Sequence, residues 1–271
     1  MKAFDDILSR CTNIEKLAQG GRKTVYSATH AEFGTIVIKH GNYLASSSLE
    51  RISREVQLLN QIDSPYYPRQ FEFLTDHTNR EFLIIEERLD ATELSNVVSR
   101  FQNDNSILKL LQELVKGLNI IWERDVIHRD IKPANILITK EGEPRIIDLG
   151  IARFLGRDSL TNSLAPHGPA TVIYSAPEQL QNRKPMIGVR TDFFLLGILV
   201  LELMHGFHPF DPQHVGNNSG IVDNILNGKY VPPINRDPIL EQFIAKALMP
   251  QPFLRFTNPT ALADHLQITL K

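Results

Sequence analysis

The chain has 271 residues, 42% of them apolar and 22% charged, and its 15 Gly and 16 Pro lie near the averages of folded domains, which excludes disorder, collagen and low-complexity architectures. Its 29 basic residues against 31 acidic ones leave a net charge of −2, so neither nucleic acid nor an anionic membrane is the expected partner. A single cysteine, Cys11, excludes an internal disulfide and a cysteine-built metal site and fits a reducing cytosol; with Asp5 and Asp6 near the start, no secretion signal is expected.

The first ninety or so residues read as strands around one helix and the remainder as mostly helical, with no repeat and no Gly/Ser linker, which predicts two lobes of one domain. Leu17 to Tyr26 is a glycine turn leading into a strand, and Thr35 to Lys39 alternates as the next, with Val37 and Lys39 on one face. Ser47 and Glu50 offer a capping box for a helix whose stripe is Leu49, Ile52, Val56 and Leu59. Glu55 shares that stripe, and a carboxylate aimed at a core needs a cationic partner.

Phe82 to Ile85 is a short buried strand, and Glu86, Glu87 and Arg88 after it form a polar break suited to a hinge. Leu108 to Trp122 predicts a helix with Leu111, Val115 and Leu118 on one side. Ile136 to Ile138 and Arg145 to Ile147 flank a Lys-Glu-Gly-Glu-Pro turn and predict a hairpin. Asn135 precedes its first strand and Asp148 follows its second, so antiparallel pairing brings both side chains to the same open end. The apolar run from Phe193 to Met204 contains Glu202 and is too short for a bilayer of roughly 30 Å, so it is a buried helix. Asn258 and Pro259 start a last helix carrying Leu262, Leu266 and Leu270. His205, His208 and His214 lie near one another, but their uneven spacing without cysteine marks packing residues, not metal ligands.

The segment His128-Arg129-Asp130-Ile131-Lys132-Pro133-Ala134-Asn135 packs an acid, a lysine and an amide into the loop that ends at the hairpin. With Asp148 it offers two oxygen ligands, Asn135 and Asp148, for a hard divalent ion, and leaves Asp130 as a base. This segment, followed by Asp148-Leu149-Gly150, closely resembles the catalytic and metal-binding motifs of protein kinases. Val37-Ile38-Lys39 resembles their strand-lysine motif, Glu55 its helix partner, and Ala176-Pro177-Glu178 the end of their activation segment. These motifs stand once each, in kinase order, along nearly the whole chain.

The resemblance implies an α+β, two-lobed fold in a single domain: a small β-rich N-lobe with one main helix over about residues 1–87, a hinge at 86–88, and a larger helical C-lobe over 89–271. It implies ATP and Mg2+. Lys39 would hold the α- and β-phosphates and be held by Glu55, Asn135 and Asp148 would bind magnesium, Asp130 would take or orient the acceptor's proton, and Lys132 would offset charge on the transferred group. Val25, Val37 and Leu137 would sandwich the adenine, whose edge would meet the backbone from Glu86 to Arg88. The phosphate-covering loop departs from Gly-x-Gly-x-x-Gly, having Ala18, Gly20 and Lys23 at those places, with Gly21 beside the surviving glycine.

The acceptor class comes from the following segment. Thr171, before Ala176-Pro177-Glu178, resembles the peptide-docking loop of serine/threonine protein kinases, as does Lys132, so Ser/Thr hydroxyls of protein substrates, its own included, are the expected acceptors. Asp192 and Arg255 resemble anchors of the helical lobe, Arg255 as the partner of Glu178. Ser159, Thr161 and Ser163 are candidate phosphorylation sites that Arg129 would clamp. The alternatives are a silent kinase-like scaffold, suggested by Ala18 and Lys23, and a small-molecule kinase, opposed by Thr171 and Glu178.

Overall fold

The computed structural model describes residues 2–20, 23–101, 103–148 and 172–270, apart from the side chains of residues 2–4, 47, 48, 51, 54 and 55. These form two compact units that part between Asp90 and Ala91. The first unit runs α1 (Lys2–Ser9), β1 (Cys11–Gln19), β2 (Lys23–His30), β3 (Gly34–Asn42), α2 (Ser46–Leu59), β4 (Gln70–Asp76) and β5 (Glu81–Glu87). Its strands make one antiparallel sheet in the order β1-β2-β3-β5-β4.

The period-2 alternation of strands sorts this sheet into two faces. Ala28, Ile36, Ile38, Leu83 and Ile85 form one buried cluster with Ile7 of α1. On the other face Phe82 and Ile84 pack with Tyr43 and with Ile52 and Val56 of α2, the stripe expected there. The helix starts one residue before Ser47, on Ala45 as its N-cap with no side-chain cap, so Ser47 is a first-turn residue and not the cap of a capping box. Glu86 also corrects the expected polar break: it is a buried residue of β5, only 4% exposed.

The second unit carries β6 (Ala91–Glu93), α3 (Asp104–Trp122), β7 (Ile136–Thr139), β8 (Pro144–Ile146), α4 (Pro177–Leu180), α5 (Val189–His205), α6 (Pro212–Val215), α7 (Ile221–Asn227), α8 (Pro238–Ala247) and α9 (Pro259–His265). The three strands form a small sheet in the order β6-β7-β8. The expected hairpin is β7 and β8, with Ile136 opposite Ile146. Helix α3 begins earlier than its apolar stripe, because Asn103 caps it by accepting the Ser106 amide at 2.9 Å. Helix α5 is apolar nearly all round and buries Phe193 through Leu201, as a helix at the centre of a core must. A Cβ on its Gly197 would stand 2.8 Å from the Leu248 side chain, so this glycine permits the close approach of the segment after α8. Helix α9 stops at His265, since Gln267 turns into the left-handed region at φ 56; Leu262 and Leu266 are buried, but Leu270 lies beyond the helix. Among the described residues no helix is long and apolar enough to cross a membrane.

Two charged contacts tie distant parts of the second unit together. The Arg255 guanidinium makes a bidentate pair with Glu178, Nη1 to Oε1 at 2.8 Å and Nη2 to Oε2 at 2.9 Å, with side chains 0% and 1% exposed. The other donor sites of Arg255 meet the carbonyls of Met249, Arg190 and Pro250, and Glu178 also accepts the Thr191 hydroxyl at 2.7 Å. The second contact joins Asp104, at the start of α3, to Arg236 and to the Asp237 amide, the latter at 2.7 Å.

Glu178→Ala leaves a buried guanidinium uncompensated and is expected to lower stability by about 3 kcal/mol; Arg255→Met added to it should cost less than the sum of the two single changes in denaturant unfolding. Burial raises the Asp104 carboxyl, but hydrogen bonds from Arg236 and the Asp237 amide outweigh it and hold the group below its ordinary value. A carboxyl depressed in the folded state stabilises above its unfolded pKa and loses that contribution as the pH falls through the folded value. Asp104→Asn should therefore cost about 1 kcal/mol near neutrality, and thermal melts of variant and parent should converge as the pH falls below about 4.

Candidate active site

The loop from His128 to Asn135 lies between α3 and β7, and its charged groups are organised around Asp130. Lys132 Nζ donates to Asp130 Oδ2 at 2.9 Å, and the two side chains are 17% and 15% exposed. Asn135 sits at the end of a 3-10 turn, Pro133–Asn135, whose proline presets the backbone. Its Nδ2 donates both to the Asp130 carbonyl at 2.7 Å and to Asp130 Oδ2 at 2.8 Å. The amide nitrogen is thereby used on Asp130, which leaves Asn135 Oδ1 as the atom available to a cation.

Asp148 follows β8, and its position is locked to Asn135 through the hairpin: the Ile147 amide donates to the Asn135 carbonyl at 3.0 Å. Asp148 itself is held in the left-handed region at φ 54, an unfavourable conformation for a non-glycine residue that the surrounding structure must impose. An amide oxygen and a carboxylate at one hairpin end are hard oxygen donors, so these residues fit magnesium, which takes few protein ligands and keeps several waters.

The loop is held from behind by α5 and α4. Asp192 is completely buried, and its carboxylate accepts the Trp122 indole N–H at 2.8 Å, the His128 amide at 2.9 Å and the Arg129 amide at 2.8 Å. Burial pushes its carboxyl above the ordinary value, against the opposing pull of His128 and these three donors. His128 is likewise buried, and desolvation holds its imidazole below the usual value. Arg129 has φ 66, and its carbonyl accepts Gln179 Nε2 at 3.0 Å while Gln179 Oε1 accepts the Ala176 amide at 2.9 Å. One glutamine therefore ties the loop to the start of α4.

In the first unit, register decides which side chains meet. Val25 lies opposite Lys39, Lys39 opposite Ile84, and Val37 opposite Glu86, so all five share one face of the sheet. Lys39 is buried, 7% exposed, and its Nζ pairs with Glu86 Oε1 at 2.5 Å. Ala18 is exposed on β1 opposite Val25, and the Gly20 amide donates to the Lys23 carbonyl at 2.8 Å. Of the Glu86 to Arg88 stretch, the Glu87 amide donates to the Arg69 carbonyl and the Arg88 amide to the Thr35 carbonyl, so both are already used within the unit. Leu137 is half-buried on β7.

Asp130, Lys132, Asn135, Asp148 and Arg129 thus come together in the second unit, while Val25, Val37, Lys39 and Glu86 come together in the first. Gly21, Thr171, Ser159, Thr161, Ser163 and the side chain of Glu55 lie outside the described residues. The three histidines pack on rings: His205 and His214 stack on Phe207, and His208 meets Tyr174 edge-on. Sequence reasoning missed Gln179, Trp122, Gln70 and the Tyr174–Glu202 contact, in which the phenol donates to the carboxylate at 2.7 and 2.6 Å. A polar residue within an apolar helix, as Glu202 is, was the available signal for the last of these.

The sequence matches the family described as protein kinase domain over residues 11–266. It is similar to serine/threonine-protein kinase pakH of Dictyostelium discoideum, 25% identical over 279 residues that cover 95% of this chain and 52% of that protein. It is also similar to CBL-interacting serine/threonine-protein kinase 26 of Arabidopsis thaliana, 28% identical over 254 residues that cover 92% of this chain and 56% of that protein. The chain spans about half the length of these two relatives. With the match extending over nearly its whole length and the loop and hairpin built as described, the chain belongs to the protein kinase domain family.

Proposed function

We propose that this chain transfers the γ-phosphoryl group of ATP, with magnesium, to Ser/Thr hydroxyls of protein substrates. The observation that carries the reading is the setting of Asp130, whose carboxylate is oriented by Lys132 and Asn135 at the mouth of the hairpin that bears Asp148. The names of both relatives support the Ser/Thr class. Phosphoryl transfer asks little covalent chemistry of a protein, so positioning and charge neutralisation supply most of the rate.

Each residue has a role in this reading. Asp130 accepts or orients the proton of the attacking hydroxyl, and Lys132, already on Asp130 Oδ2, places positive charge beside the group in transit. Asn135 Oδ1 and the Asp148 carboxylate hold magnesium, which neutralises charge on the phosphate oxygens. Lys39 holds the α- and β-phosphates, and Val25, Val37 and Leu137 contact the adenine. Its edge meets carbonyls of the 86–88 stretch, because the amides of Glu87 and Arg88 are engaged elsewhere. Arg129, next to the base, is the clamp for a phosphate on Ser159, Thr161 or Ser163, and Thr171 docks the peptide. Residues 1–87 then serve as N-lobe, 86–88 as hinge and 89–271 as C-lobe of a single domain.

Ala18 and Lys23, where the family pattern has glycine, favour a second reading as a silent scaffold. One comparison separates the two. Asp130→Asn should keep folding and magnesium-dependent ATP binding while losing about 100-fold or more in transfer to a generic protein acceptor. Asp148→Ala should lose the magnesium-dependent part of ATP binding as well. No labelled phosphate on any acceptor from the parent, despite bound ATP, would leave the scaffold standing; undiminished transfer by both variants would remove this site from the reaction.

A further inference from the structure

The strand lysine has a partner that the sequence reading did not assign to it. Lys39 stands on β3 opposite Ile84 of β5, and Glu86 stands two residues along on the same face. Its carboxylate is used at both ends: Oε1 meets Lys39 Nζ at 2.5 Å, and Oε2 accepts Gln70 Nε2 at 2.9 Å. Gln70 is the cross-strand neighbour of Glu86 on β4. A carboxylate oxygen can only accept, so Glu86 also selects which end of the Gln70 amide faces it. The pair is almost dry, with side chains 9% and 6% exposed, beside the apolar cluster of Phe82, Ile84, Ile52 and Val56.

We propose that Glu86 is a positioning residue for Lys39, an acid within the sheet that helps to fix the ammonium through a Lys39–Glu86–Gln70 relay across β3, β5 and β4. The expected partner, Glu55, is carried by α2, whose placement against the sheet is a matter of side-chain packing. Glu86 belongs to the same hydrogen-bonded sheet as Lys39, and the register of β3 on β5 sets their separation. An ammonium has three donors, and the bond to Glu86 engages one of them. In this arrangement the ammonium is aimed by an acid of its own sheet.

The inference rests on the reading of Lys39 as the phosphate-binding lysine, and the test keeps the two apart. The full chain is compared with Glu86→Gln, Glu86→Asp, Gln70→Ala and Lys39→Met, each checked for folding by circular dichroism. The first readout is the rate at which an amine-reactive acetylating reagent modifies Lys39, followed by mass spectrometry across pH. A neighbouring carboxylate favours the charged, unreactive amine, so Glu86→Gln should move this profile to lower pH by about one unit, with Glu86→Asp recovering part of the shift. Gln70→Ala should move it in the same direction by less.

The second readout is steady-state kinetics with magnesium and ATP, in which Glu86→Gln should raise KM about 5-fold or more, by analogy with the loss of a charged partner. A folded Glu86→Gln chain with the parent's acetylation profile and the parent's KM overturns the proposal. If Glu86→Gln does not fold, Glu86→Asp and Gln70→Ala decide, and parent-like profiles in both overturn it equally. Lys39→Met with undiminished ATP affinity would instead sink the reading of the lysine, while the acetylation profiles would still report whether Glu86 holds it.

Discussion

The carboxylate of Asp192 is the constraint on which the loop from His128 to Asn135 depends. It comes from the first turn of α5, the most deeply buried helix of the second unit, and takes three donors: an indole from α3 and two consecutive amides from the loop. Without it those amides would be buried donors with no acceptor, which costs roughly 1–3 kcal/mol each. The pair of amides matters for a geometric reason as well. Arg129 is in the left-handed region, and bonding both its own amide and the preceding one to a single carboxylate imposes that bend, after which Asp130 is presented toward Lys132 and Asn135. The strain is local and its support is remote, so an apolar core helix determines where Asp130 stands.

Glu178 and Arg255 do for α4 what Asp192 does for the loop. A completely buried ion pair is rarely a net source of stability, because desolvation of two charges offsets their attraction. Its value is orientation: the guanidinium meets the carboxylate in a planar fork and holds three carbonyls besides, so the end of the 172–178 stretch has one available position. Gln179, the next residue, then reaches the Arg129 carbonyl. The loop bearing Asp130 and the start of α4 are thus fixed to one another by side chains whose own positions are set in the core.

What could be read from the sequence was whatever is local along the chain. The spacing of Asp130, Lys132 and Asn135, and the turn between Ile138 and Arg145, place four functional groups without any knowledge of tertiary contacts, because a short loop and a hairpin leave little freedom. The stripe of α2 was legible from its periodicity and the core helix α5 from its long apolar run. Glu86 was not, since Phe82 to Ile85 is apolar at every position and lost the alternation that would have shown which face Glu86 joins; following such a run, an acid reads as the start of a loop. Leu270 failed for the opposite reason, as regular spacing continued past the point where Gln267 ends the helix. Trp122 and Gln179 act through partners 70 and 50 residues away in sequence, and no periodicity encodes such a distance.

The two sets of candidate site residues show how charge is managed within each unit. In the first unit the Lys39 ammonium is balanced by Glu86 on the neighbouring strand, and in the second the Asp130 carboxylate is balanced by Lys132 two residues away. Both pairs are mostly withdrawn from water, where an uncompensated charge would be costly, and both join short stretches of backbone whose geometry is already fixed by a sheet or a turn. In the proposed phosphoryl transfer, nucleotide phosphates and an acceptor hydroxyl would meet side chains that these pairs already orient, which would lessen reorganisation at the moment of reaction.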